Sequence, residues 1–168
     1  MRLAFKMYLL IFVIMICEIF LSGLTGELPV KAELLLLVTV FFGLYFGPVY
    51  GAEAGLVAGI LKDALGLAPF GISALSFLII GFLCGHIKKR LERETVFAQF
   101  FVAFFSSIFY FLVVFAYLNI FRETSFICPL FKRIFYQALV TGILSAPIFF
   151  ILGIIFGKTQ SEIFVENL

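Results

Sequence analysis

From Val96 to Phe121 the chain carries no charged side chain, and the runs Met7 to Cys17 and Ile134 to Gly157 are likewise uncharged. The hydrocarbon core of a bilayer is about 30 Å thick, which takes about 20 consecutive apolar residues of helix to cross. Inside it every backbone N–H and C=O must be paired within the protein, so such runs become helices unless they alternate in polarity and close into a barrel. That alternation is absent. Of the 168 residues 64% are hydrophobic and 13% charged, with mean hydropathy +1.21, whereas an ordinary soluble domain is about a quarter charged. We therefore read an all-α integral membrane protein, a single transmembrane domain over residues 1–168, because no Pro/Ser/Gly-rich stretch is long enough to separate two folded units.

The apolar runs place six spans, at about Leu3 to Leu24, Val30 to Phe46, Val49 to Leu65, Phe70 to Ile87, Val96 to Phe121 and Ile134 to Gly157. Only Gly47 and Pro48 separate the short second and third runs, which form a tight hairpin or one partly re-entrant element. Arg2 and Lys6 before the first run imitate a signal peptide, but no A-x-A-like cleavage site follows, so the first helix is read as retained.

An even number of spans puts both termini on one side. With the termini inside, Arg2, Lys6, Lys88, Lys89, Arg90, Arg93 and Lys158 are cytoplasmic, and Lys31, Lys62, Arg122, Lys132 and Arg133 lie outside. The local signal is stronger, because Lys88, Lys89, Arg90 and Arg93 crowd into one short loop, where the positive-inside rule acts best. This basic loop serves as a topology signal at anionic headgroups or as a docking site for a cytoplasmic partner. The segment Arg122 to Arg133 mixes charge with Phe126, Ile127, Leu130 and Phe131, as a loop lying along the outer surface would. Neither a nucleic-acid footprint nor a disulfide framework emerges; Cys17, Cys84 and Cys128 are scattered.

In the third run Gly51, Gly55 and Gly59 recur every fourth residue and Asp63 continues the spacing, so all four fall on one helix stripe. Small residues at that spacing let two helices approach closely, which matters in lipid, where no hydrophobic drive brings helices together. An ionised Asp at a helix centre costs about 2.5–3.5 kcal/mol on the insertion scale, so a carboxylate on that stripe faces protein or water. The competing reading has Lys62 and Asp63 mark the emerging end of the span, their side chains snorkelling to the surface. Directly after them Gly66, Pro69 and Gly71 allow a sharp return, making the third and fourth spans an antiparallel pair. Glu18 is the other intramembrane carboxylate singled out, either near the outer interface or paired with a neighbouring helix. His86 is the single histidine, and no Ser/His/Asp, Cys/His or metal-ligand arrangement assembles, so no catalysis and no cofactor are expected.

The stretch Gly51 to Leu75 resembles the signature region of the MreD family of rod shape-determining membrane proteins, which shows G-x-x-x-G-x-x-x-D followed by two further glycines. The corresponding residues are Gly55, Gly59, Asp63, Gly66 and Gly71. Gln137 to Pro147 is similar to the family's last span, with Gly142 and Pro147 as the matching pair. Lys62 departs from the pattern, since an apolar residue is more usual before the aspartate, and the segment Leu28 to Glu33 matches only loosely. The resemblance implies a subunit of the bacterial elongation machinery, bound to MreC and associated with RodA, its penicillin-binding protein partner and MreB. It also implies a fold similar to the S components of energy-coupling-factor vitamin transporters.

That similarity makes a vitamin-transport subunit the alternative. Such a subunit should carry an Ala-rich face on its first span and a polar, often Trp-bearing pocket. Met7 to Gly23 contains no Ala and the chain no Trp, which favours the scaffold reading.

Overall fold

The computed structural model describes residues 2–25, 33–65, 71–87, 96–122 and 127–166; side chains are not described at the extreme ends of several helices, including 127–133 and 157–166. Six helices account for nearly all of them: α1 (Arg2–Thr25), α2 (Leu34–Phe46), α3 (Pro48–Ala64), α4 (Ile72–Ile87), α5 (Val96–Arg122) and α6 (Ile127–Glu166). No strand occurs among the described residues. Among the described residues three windows are long and apolar enough to cross a membrane: Ala4–Leu21, Phe97–Tyr117 and Ile134–Phe156. The helices α2, α3 and α4 have only 13, 17 and 16 residues, at 1.5 Å per residue about 20–25 Å of helix.

At the centre stands α2. Every side chain from Leu35 to Leu44 is buried, as expected of a helix that is apolar all round. Around it α3 and α4 form an antiparallel pair whose backbones nearly touch. A Cβ added at Gly55 would run into the Phe77 carbonyl, one at Gly59 into Ala74, and one at Gly51 into the Gly81 carbonyl, while one added at Gly43 of α2 would lie 2.7 Å from that same carbonyl oxygen. On the opposite side Phe41 and Phe42 of α2 meet Phe149 and Phe156 of α6, with edge-on ring centroids 5.7 Å apart for Phe41–Phe149 and 5.3 Å for Phe42–Phe156.

The outer surface is hydrocarbon. Phe97, Phe101, Phe105 and Phe109 of α5 follow one another at one-turn spacing and are exposed, while Ala103, Ser106, Ser107 and Tyr110 face inward. Among the described side chains of α1 only Met7 and Ile11 are buried hydrophobics, with Phe5, Phe12 and Phe20 outside. Such a surface is ordinary against lipid and would aggregate in water.

The last helix differs from the sequence reading. Residues 127–133 are not a loop along the surface but the first turns of α6, which has 40 residues and so runs for about 60 Å, well beyond the bilayer core. Apolar side chains at about one-turn spacing (Ile127, Leu130 and Phe131, Ile134) suit a helix as well as an interfacial segment.

Between α2 and α3 the chain turns on one residue. Gly47 has φ 108° and ψ −177°, a region essentially restricted to glycine, and its N–H donates to the Gly43 carbonyl at 3.1 Å while Pro48 opens α3. Gly47→Ala is expected to cost about 1–3 kcal/mol, read as a lower thermal midpoint in detergent, with Gly153→Ala, where an added methyl meets open space, as the unaffected control.

Candidate functional site

The helices α1 and α3 run in parallel, so they finish at the same end of the bundle, where α2 and α4 begin. There the glycine contacts draw α3 and α4 together, and the charged side chains of these elements meet. Lys62 and Asp63, on the last turn of α3, are 2% and 4% exposed. Neither snorkels to the surface.

Asp63 spends both oxygens on the start of α4. Its Oδ2 accepts the N–H groups of Gly71 at 2.8 Å and Ala74 at 3.2 Å, and Oδ1 accepts that of Ser73 at 3.2 Å. The first N–H groups of a helix have no partner within it, and a carboxylate there also faces the positive end of the helix dipole. Gly71, at φ 99°, supplies the left-handed turn that aims its own N–H at the carboxylate.

Lys62 turns the other way, into the bundle. Its Nζ pairs with Glu33 Oε2 and lies 4.0 Å from Glu18 Oε1, with the Tyr110 and Phe77 ring centroids at 4.7 and 5.3 Å, within cation–π reach. The acids are themselves anchored. Glu18 Oε2 accepts the N–H of Leu35 at 3.0 Å, capping α2 from α1. Glu33 accepts at Oε1 from Gln137 Nε2 at 3.4 Å, and its N–H donates to Thr141 Oγ1 at 3.5 Å. A hydrogen bond of 3.2 Å between Ser73 Oγ and the Tyr110 hydroxyl closes the cluster against α5. All six helices therefore contribute to one buried polar knot.

At the opposite end the Tyr8 hydroxyl donates to Glu53, tying α1 to α3. A shallow cleft of about 340 Å³ opens between α2, α5 and α6, lined mainly by Phe149, Phe150, Gly153 and Ile154 together with the hydrogen-bonded Gln99–Tyr45 pair. Gly142 is buried, its missing Cβ replaced by the Phe100 ring, and Pro147 lies exposed inside α6. Gly66, Pro69, Lys88, Lys89, Arg90 and Arg93 lie outside the described residues. Among the described residues no three His, Cys, Asp or Glu side chains are grouped to hold a metal.

The polar groups of this knot are taken up by helix caps and ion pairs within an apolar bundle. The family model of the rod shape-determining protein MreD matches residues 1–156. The chain belongs to the MreD family. The match runs from α1 to the Phe156 turn of α6, taking in every element of the knot, and makes the chain a rod shape-determining membrane protein. No curated protein and no solved structure matches it, so the likeness to transporter S components has no support from these comparisons.

Within this MreD-family chain, the structure joins Asp63 and Glu18 through Lys62 and Glu33, two residues that the sequence left aside. Lys62 stood out as a snorkelling residue at the end of its span and as a departure from the family pattern, and Glu33 lay in the loosely matching segment. One signal was available. A lysine in an apolar span needs an acid, and Glu18 and Glu33 are the acids at the corresponding depth of the two preceding helices.

Proposed function

We propose that the chain is a non-catalytic subunit of the bacterial cell-elongation complex in the inner (cytoplasmic) membrane, where it binds MreC and supports peptidoglycan synthesis and cell shape. The observation that carries this reading is the family match over residues 1–156. RodA, its penicillin-binding protein partner and MreB are the further partners that membership implies. The site supports a scaffold, because its polar groups are committed to helix caps and internal pairs that hold the bundle together.

The proposed orientation has both termini in the cytoplasm. Lys62 is buried in an ion pair and gives no topological signal, so the basic residues divide seven inside to four outside rather than seven to five. This holds whether the short α2 and α3 cross the bilayer or re-enter from one face, since either path returns the chain to the same side. The polar knot then lies at the extracytoplasmic end. The outward phenylalanines of α5 and α1 are the surfaces we assign to lipid and to MreC.

Tagged protein extracted in detergent or nanodiscs from its own host is expected to bring down MreC. Repeated recovery of the chain without MreC, and with a bound vitamin instead, would overturn the proposal.

A further inference from the structure

Lys62 is held as a free alkylammonium ion would be. Its Nζ meets the Glu33 carboxylate, approaches Glu18 and lies over the rings of Tyr110 and Phe77. Acids that neutralise the charge and ring faces that replace its hydration are the donor set that selects an ammonium over a neutral group. The holders come from α1 (Glu18), the start of α2 (Glu33), α4 (Phe77) and α5 (Tyr110), while the ammonium arrives from α3. Glu18 accepts from the Leu35 N–H and Glu33 from Gln137, so each acid keeps a hydrogen-bond partner when the ammonium is removed. Among the described side chains of α1 the fully buried apolar ones, Met7 and Ile11, lie in its first half, so the Glu18 contact adds a polar tie near its other end.

We propose that this end of the bundle is an alkylammonium cage whose resident ligand is the chain's own Lys62 side chain, and that its occupancy locks the ends of α1 and α2 onto α3, α4 and α5. The inference stands on the geometry of these side chains and does not require MreC.

Chemical rescue tests it. Lys62→Ala removes three methylenes and the ammonium, the equivalent of one propylammonium ion. In full-length chain in nanodiscs the thermal midpoint of Lys62→Ala is expected to fall on the order of 10 °C. Millimolar propylammonium should recover at least half of that loss saturably, while propanol at the same concentrations should not, and neither should shift the wild-type chain. Rescue by propanol equal to that by propylammonium, or no rescue, would overturn the proposal. If Lys62→Ala yields no folded protein, Lys62→Met is compared with the triple variant Lys62→Met, Glu18→Gln, Glu33→Gln, in which no buried charge is left unpaired. The cage requires the triple variant to be clearly the more stable; equal stability of the two contradicts it.

Discussion

Gly55→Leu is expected to abolish the α3–α4 pair and with it the compact bundle. A Cβ at this position would collide with the Phe77 carbonyl, which is backbone of a helix and can yield only if the two axes separate. Ordinary overpacking in a core costs about 1–3 kcal/mol. Here the whole interface must open, and Gly51 and Gly59 lose their contacts on either side, so we expect a loss above about 3 kcal/mol. In detergent the wild-type chain should elute as one sharp species and Gly55→Leu as a broad or aggregated one. Gly23→Ala, on the exposed face of α1 where an added Cβ meets nothing within 4 Å, should behave as wild type.

Removing the Asp63 carboxylate has the second large effect. Asp63→Ala strips the start of α4 of acceptors for three backbone N–H groups. Two of these donors, the N–H groups of Ser73 and Ala74, are buried, and a buried donor left without a partner costs about 1–3 kcal/mol, so a total of about 2–6 kcal/mol is expected. For a chain of this size that is a fall in thermal midpoint of at least about 4 °C. Asp63→Asn should lie between, because its carbonyl oxygen still accepts while its amide group faces donors. It should insert normally and yet weaken complex formation and rod shape. Faster hydrogen exchange at Gly71, Ser73 and Ala74 would localise the effect; unchanged exchange there would show that Asp63 is not their acceptor.

The helical class and the order of the six helices were legible in the sequence because long uncharged runs have few other solutions in lipid. The windows Phe97–Tyr117 and Ile134–Phe156 lie inside uncharged runs, and Ala4–Leu21 carries only Lys6 and Glu18. The start of α6 was not legible, since the apolar spacing of residues 127–134 fits a surface segment and a continuing helix alike. At the site, Asp63 and Glu18 stood out as carboxylates in apolar surroundings. Lys62 did not, because a lysine near the end of a span ordinarily reaches water. What turns it inward is tertiary: its acids lie on α1 and at the start of α2, and the rings beneath it on α4 and α5, so no local pattern announces the pairing. The spacing of Gly51, Gly55 and Gly59 defined a face but not its partner, which the structure supplies as Phe77, Ala74 and Gly81 of α4.

The most direct test of the functional account is depletion of the chain in its own host while cell shape and the position of MreC are followed. The account predicts that rods widen and round up as the protein disappears and that MreC loses its ordered placement along the cell wall. Re-expression of the wild-type chain should restore both, and Gly55→Leu should restore neither. Cells that stay rod-shaped after depletion, with MreC undisturbed and uptake of a vitamin lost, would contradict it.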